Sequence, residues 1–429
     1  MRVLIVTDAF PPRCGGSGWS TFHLARALAA RGHEVRVVKP EANLTGVRRR
    51  EHEGIPVSDF GYLLHDVPYL RSWERDERLR SRLERFLLEE VAASPVDVIH
   101  AQHVLSAPPA IAAGATLGVP SIVTVRDHWT VCYFTTAHVE GAFCPACGFT
   151  KMLACMRGKS PRGYWAGIPL MPYMRRNVRR KQHALARADA VVAVSEYIAA
   201  RAVRPIVGDE RTHVLPNPID AGEVDRAAAE SPAVELPPRF VLFIGKLTRS
   251  KGAWLALDAY ARVSREDVPL VMAGAGEERA PLEERARAAG FAVRFLPWVD
   301  NRDVWRIMRR AAAVLVPSLW PESLSRTVTE AMAAGAPVLA TDCGGIHDQI
   351  RHHESGAILP ATPEAFAGEM SRLLADPALG EAWASRARQT IAERFDDRVV
   401  VPRIAELYSR LAEERRRDGT PAVESVRSG

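Results

Sequence analysis

Several things are scarce in this chain of 429 residues, and each scarcity excludes something. It has only six cysteines, too few for a disulfide-knit scaffold at this length. It has no apolar run of the roughly 18 residues that a membrane span needs. The opening segment, Met1-Arg-Val-Leu-Ile-Val-Thr-Asp8, carries one charge and a very short apolar stretch. It reads as a strand and not as a signal peptide. We therefore expect a cytoplasmic protein, or one resting on the inner face of a membrane. The G-x-G-x-x-G spacing of dinucleotide folds is missing from the glycine-rich turn at Gly15, which counts against a dehydrogenase. Between Lys151 and Ala188 there are ten Lys or Arg and no carboxylate.

The formal net charge of +6 is unevenly placed. Residues 1–230 hold 30 Lys+Arg against 24 Asp+Glu, and residues 231–429 hold 27 of each. A basic block such as 151–188 needs a partner or open solvent. We expect no nucleic-acid partner. Hydrophobic residues make up 47% and charged residues 25%, the balance of an ordinary globular protein with a large core. The length exceeds what one core usually serves, so two domains are expected.

Short apolar runs alternate with helical stretches, which implies βαβ units on parallel sheets. The first series has strands at Val3–Thr7, Glu34–Val38, Val96–His100, Ser121–Val125, Ala190–Val194 and Thr212–Leu215, with a helix at Ser20–Arg31. A proline-bearing stretch, Ala227–Arg239, reads as a linker. The second series has strands at Phe240–Ile244, Leu270–Ala273, Val293–Leu296, Ala313–Val316, Val338–Ala340 and Gly356–Leu359. We expect an N-terminal domain at 1–230 and a second at 231–395. A last helix, 396–416, would fold back on the first domain, followed by a flexible tail at 417–429. Two doubly wound sheets would face a central cleft, with ligands at the carboxyl ends of the strands.

Those strand ends are where chemistry is sought. Asp8 leads into Gly15-Gly16-Ser17-Gly18, with a helix expected from about Trp19; such amides suit an anion. Gly245-Lys246 and Arg249-Ser-Lys251 put three cations beside a glycine at a strand end, as a diphosphate requires. A solvated basic turn is the plainer alternative. Gly274 ends another strand, but Arg279 occupies the place of a third dinucleotide-loop glycine. The most informative stretch runs from Ser318 through Glu322-Ser323-Leu324-Ser325 to Glu330 and Gly335. Ser323 or Ser325 can cap the helix that follows, and Gly335 and Pro337 stop it. Eight helical residues would set Glu322 and Glu330 about 12 Å apart. That is too far for an acid–base pair on one bond, and it suits hydroxyl groups at two points of one extended ligand.

With Glu-x7-Glu (Glu322, Glu330), Ala331-Met-Ala-Ala-Gly-Ala-Pro-Val338, Gly245–Gly252, Gly274-Ala-Gly276, Ser195-Glu-Tyr197 and Asn217-Pro-Ile-Asp220 in this order, the chain resembles the retaining glycosyltransferases of family 4, the glycogen-synthase-like group with the GT-B fold. The resemblance implies an α/β architecture and a nucleotide-sugar donor of UDP- or GDP-sugar type. It implies no divalent metal for catalysis. It assigns Lys246 and Lys251 to the donor diphosphate and Glu330 to the ribose. Glu322 falls on the transferred sugar, with the amides of Ser323, Leu324 and Ser325 beside the phosphate. Gly15 and Gly16 would approach the phosphate from the first domain, and Trp298 and Val299 would lie near the base. Where the family often has His-Asp, this chain has Arg126-Asp127, so the role of that histidine falls on Arg126 or His128. His100, His103 and Asp127 are acceptor-side candidates. The acceptor would be a glycan, a lipid-linked sugar or a small molecule.

Two further features stand apart. Cys132, Cys144, Cys147 and Cys155 include one Cys-x2-Cys pair, a spacing that could hold a structural zinc; free thiols in an irregular loop are the alternative. In 151–188, cations beside Tyr164-Trp165 would suit an anionic membrane surface, or else a solvated helix face. A nucleotide-sugar epimerase or hydrolase on the same fold, and a non-catalytic nucleotide-sugar-binding module, are the competing readings of the whole.

Overall fold

The computed structural model describes residues 1–417 apart from 13, 68, 140, 141, 145, 146, 160–163 and 264; the expected tail from 418 onward lies outside them. The chain forms two compact units. One comprises Met1–Pro218 and the chain from Val400, and the other Ile219–Val399.

The first unit is built on an eight-stranded sheet. Its strands are β1 (Arg2–Val6), β2 (Glu34–Ala42), β3 (Val47–His52), β4 (Ile55–Tyr62), β5 (Val98–Ala101), β6 (Ser121–Val125), β9 (Ala190–Ala193) and β10 (Thr212–Val214). A separate two-stranded ribbon holds β7 (His138–Val139) and β8 (Ala142–Phe143). The order in the large sheet is β10-β9-β6-β5-β1-β2-β4-β3. All its pairings are parallel except β3 with β4. One face of the sheet and its helices bury Val3, Ile5, Phe22 and Leu28 together with Val400, Ile404, Leu407 and Leu411. Burial of each such side chain stabilises by about 2 kcal/mol. The helix Asp397–Arg417 is thus part of this core from Val400 on.

The hairpin β3–β4 escapes the apolar-run reading. Its outer strand is Val47-Arg-Arg-Arg-Glu-His52, an edge strand kept polar as edges usually are. Two of its three arginines serve a buried carboxylate, while Arg49 pairs with Glu90. Asp59 is fully buried and accepts from Arg48 at 2.8 Å and Arg50 at 2.8 Å. Burial alone would raise its pKa, but the hydrogen bonds from Arg50 and Arg48 hold it below the usual carboxylate value.

The second unit has a six-stranded parallel sheet: β11 (Val241–Ile244), β12 (Leu270–Ala273), β13 (Val293–Leu296), β14 (Ala313–Val316), β15 (Val338–Thr341) and β16 (Ala357–Leu359), ordered β13-β12-β11-β14-β15-β16. Alternate residues point to opposite faces. Val241 and Phe243 enter one core and Leu242 the other. Helices cover both faces, which is why these strands read as unbroken apolar runs. The chain enters this unit at Ile219, ahead of the expected linker. The helix Ala221–Ala229 already buries Val224, Ala227 and Ala228 in the unit's core, so the crossing cannot fall at the prolines that follow.

His100 of β5 supplies a test of the first unit's stability. It is fully buried; Nδ1 lies 2.6 Å from the Tyr408 hydroxyl and Nε2 2.7 Å from Thr124 Oγ1. Burial, and then the Arg126 charge, lower its pKa to about 3. A histidine that titrates lower in the fold than in the unfolded chain adds stability above its unfolded pKa of about 6.5, lost as pH falls toward the folded value. The slope is about 1.4 kcal/mol per pH unit. Urea unfolding at pH 5.0–7.5 should show stability falling below about pH 6.5. In His100→Gln the acid-side slope should be shallower; an unchanged slope would remove His100 as its source.

Candidate active site

In the second unit the sequence-predicted donor residues gather at the carboxyl ends of β11, β12 and β14. The Arg249–Lys251 turn is bound to the loop after β14, with the Leu319 amide donating to the Ser250 carbonyl at 2.9 Å. Gly252, at φ +72, presses against the Pro317 carbonyl where any Cβ would collide. This approach sets Lys251 beside Glu322: Lys251 Nζ stands 2.6 Å from Glu322 Oε1. Ser318 Oγ donates to the same oxygen at 2.5 Å. Gly344, at φ +61, likewise closes on the Glu322 carbonyl, and the Gly345 amide donates to that carbonyl at 2.6 Å. Glu322 is therefore held by backbone and side chain alike, with its carboxylate only 12% exposed.

Glu330 is fixed by a different set. Its Oε1 accepts from Trp305 Nε1 at 3.1 Å and from Arg326 Nε at 2.9 Å. Arg326 lies one turn before Glu330 on the helix Arg326–Ala334, so i, i+4 spacing could have identified it. Ser318 belongs to the stretch already singled out, whereas Trp305 and Gln349 come from elsewhere in the chain and carry no local signal.

Three expectations need correction here. Glu322 lies before the helix and Glu330 inside it, as expected, but the helix begins only at Arg326, so the roughly 12 Å reckoned for eight helical residues between them does not apply. Ser325 occupies the N-cap but makes no side-chain capping bond. Its amide donates to Gln349 Oε1 at 2.9 Å, and Gln349 Nε2 donates back to the Ser325 carbonyl at 2.7 Å. That amide is thus taken and cannot also hold a phosphate; those of Ser323 and Leu324 stand before it. Lys246 is exposed just beyond Gly245, and Gly245 donates to the Ala273 carbonyl at 3.0 Å, next to Gly274. Trp298 is 75% exposed, whereas Val299 packs on the core.

In the first unit the helix starts at Gly16 with Gly15 as N-cap, earlier than Trp19, so Gly16 and Gly18 are helical and not loop. The side chains at the ends of β1, β5 and β6 form a polar group. Asp8 accepts from the amides of Leu105 and Ser106, each at 3.0 Å; burial still raises its pKa. Arg126 Nε donates to Asn217 Oδ1 at 2.8 Å, and Nη1 to the Gln102 carbonyl at 3.0 Å and Thr21 Oγ1 at 3.4 Å. These partners are all neutral. Burial pulls the Arg126 pKa down to about 9, which leaves it charged at neutral pH. Asp127 accepts from the Trp129 amide at 2.8 Å, and burial raises it to about 7. His103 Nε2 and both polar side-chain atoms of Gln102 are buried without partners, and burial takes His103 down to about 3.

His100, named as an acceptor candidate, has both ring nitrogens engaged in the core and is a structural residue. His128 is also buried, edge-on to Tyr197 at 5.5 Å, and burial lowers it to about 4. Of the candidates at this end, Arg126, Asp127 and His103 come together. Asp8, Gln102 and Asn217 join them without having been marked as site residues.

The basic block is partly satisfied within the unit. On the helix Met171–Leu185, Arg180 pairs with Glu77 at 2.8 Å and Lys181 with Asp76 at 3.1 Å. Arg175, Arg176 and Arg179 remain exposed, and Trp165 is 80% exposed. Part of the block, 160–163, lies outside the described residues. All six cysteines are free thiols. Among the described residues no group of three or more His, Cys, Asp or Glu side chains is arranged as a metal site as placed, and no helix is long and apolar enough to cross a membrane.

Residues 14–223 match the family described as Glycosyltransferase Family 4, and residues 225–390 that described as Glycosyl transferases group 1. Over 427 residues the chain is 26% identical to the glycogen synthase of Mycobacterium tuberculosis, covering 95% of this chain and 94% of the relative. It is 28% identical to the D-inositol 3-phosphate glycosyltransferase of Jonesia denitrificans, over 87% of this chain and 86% of that one. Among solved structures, sucrose-phosphate synthase from Thermosynechococcus elongatus superimposes with a TM-score of 0.72 at 19% identity, covering 96% of this chain and 99% of the other. The Anabaena protein HepE in complex with UDP gives 0.65 at 19% identity, over 95% and 100%.

Proposed function

Starting from a chain that is a glycosyltransferase of the GT-B fold using a nucleotide sugar, we propose that it transfers a hexosyl group from a UDP- or GDP-sugar with retention of anomeric configuration. The observation that carries this reading is the Lys251–Glu322 pair at 2.6 Å on rigid strand ends, with Lys246 nearby. In the reaction the bond between the anomeric carbon and the diphosphate oxygen breaks as the acceptor oxygen bonds to the same face of that carbon. The acceptor proton passes to the departing phosphate. Lys246 and Lys251 offset the charge that grows on that phosphate, with the amides of Ser323 and Leu324 adding to them. This scheme draws its positive charge from side chains and requires no divalent ion. Glu322, released from part of its bond to Lys251, holds hydroxyls of the sugar. Glu330, oriented by Trp305 and Arg326, holds the ribose.

The first unit receives the acceptor around Arg126, Asp127 and His103. A hydroxyl acceptor with an anionic group fits best there, because the buried guanidinium has only neutral partners. The acceptor class spans glycans, lipid-linked sugars and small molecules. Exposed Arg175, Arg176 and Arg179, with exposed Trp165 earlier in the same basic block, would favour one presented on an anionic membrane.

One experiment addresses the reading. Nucleotide sugars are screened by thermal shift, and the product of the one that binds is analysed by NMR with soluble and lipid-linked acceptors, with and without anionic vesicles. The expected result is stabilisation by one nucleotide sugar, lost in Glu330→Ala. Nucleotide release should depend on added acceptor, and the product should keep the donor's anomeric configuration. Release without acceptor would instead identify a hydrolase. If no donor binds, and Glu322→Ala and Glu330→Ala behave as wild type, the reading fails.

A further inference from the structure

We propose that Cys132, Cys144, Cys147 and Cys155 bind one structural zinc ion, around the cavity that all four line. These residues lie in the long excursion between β6 and β9. Its described part holds two strands of two residues each, helices of which the longest is Met171–Leu185, and a small core of Met152, Met156, Met171 and Met174. A segment this short of core commonly needs a staple such as a metal.

The cysteines are placed to supply one. All four line a single cavity with Tyr133, Phe134, His138, Val139, Lys151 and Met152, and no carboxylate is among its described lining residues. Cys132, Cys144 and Cys155 are 6%, 8% and 8% exposed, so three of the four thiols are withdrawn from solvent. Cys132 and Cys147 are hydrogen-bonded sulfur to sulfur.

The turn is closed by backbone bonds, with Thr135 N–H donating to the Cys132 carbonyl at 3.1 Å and Cys144 N–H to the Ala137 carbonyl at 2.7 Å. The four sulfurs surround the cavity without being grouped as a metal site as placed. Loading would turn them inward and release their thiol protons.

Four sulfur ligands in a tetrahedral shell fit zinc, which prefers this closed set in structural sites. The ion would also act on the turn after β6. The Cys132 amide donates to the His128 carbonyl at 2.8 Å, and the His128 amide to the Thr135 carbonyl at 3.1 Å. Zinc would thus hold the segment that follows Arg126 and Asp127. This inference does not rest on the catalytic assignment, and its readouts do not involve activity.

The test uses the full chain purified without chelator from zinc-supplemented culture. Elemental analysis should find about one zinc per chain. The variant Cys144→Ser/Cys147→Ser should lose at least about nine-tenths of it, and Cys14→Ser/Cys343→Ser should keep it. Should the first variant fail to fold, exchange of the wild-type protein into cobalt(II) decides. The expected spectrum has sulfur-to-cobalt charge transfer and intense tetrahedral visible bands. Four results would overturn the proposal: zinc well below stoichiometry together with no cobalt–thiolate spectrum, full zinc in the Cys144→Ser/Cys147→Ser variant, stoichiometric iron in place of zinc, or intact-mass evidence that the four cysteines form disulfides.

Discussion

Lys251→Ala is expected to lower kcat by about 10²- to 10³-fold, as loss of one preorganised charge at a leaving group does. The expectation rests on how the lysine is held. Its ammonium is 2.6 Å from Glu322, is 31% exposed, and sits 5.6 Å above the Trp320 ring. It is partly shielded from water, so its field on a departing diphosphate is stronger than that of a free surface lysine. Lys251→Arg keeps the charge but not the point-like geometry, and should retain an intermediate rate. Glu322→Ala should also fall steeply. Because the two side chains share one bond, the double variant should be far less impaired than the product of the single effects predicts. Steady-state kinetics on the four proteins, with thermal midpoints as a check on folding, form the cycle. Additive losses would mean that the pair does not act as a unit. A Lys251→Ala enzyme within a few-fold of wild type would remove the lysine from the chemistry.

How far the site could be read in the sequence depends on where its parts come from. The strands of the second unit were legible because both faces of that sheet are covered, so each strand is an unbroken apolar run. The hairpin β3–β4 was not, because its outer strand commits Arg48 and Arg50 to Asp59 and shows no apolar face. The Glu322 segment stood out because a strand end, a helix start and two glutamates fall within a few residues. What positions those glutamates was out of reach. Trp305 and Gln349 act through contacts between separate elements that no local period records. Gln349 matters most, since its bond to the Ser325 amide removes a donor that a bare helix start would seem to offer. The same limit appears in the first unit. His100, a histidine at a strand end, looked like an acceptor residue, but Tyr408, more than 300 positions away in the chain, makes it part of the core.

Arg126→Met separates function from stability more sharply than any other single change here. Holding a guanidinium among neutral partners costs several kcal/mol of desolvation, consistent with burial pulling its pKa down to about 9. Methionine removes that cost and fills much of the same space. It also strands the Asn217 and Gln102 acceptors, at about 1–3 kcal/mol each. The two terms are of similar size and opposite sign, so the unfolding free energy should change by less than about 2 kcal/mol. Activity should not be spared. If the guanidinium exists to meet an anionic group of the acceptor, kcat/KM for acceptor should fall about 100-fold or more, the loss expected when a buried charged partner is removed. The donor Kd should stay as it was. Arg126→Lys should recover part of the loss, since it restores the charge without the fork. Titration calorimetry with donor, acceptor-dependent kinetics and urea unfolding on the three proteins give the answer together. A variant that loses stability and donor affinity in step with activity would make Arg126 a structural strut. A variant that stays folded, binds donor normally and fails only toward acceptor would mark it as the acceptor's anchor.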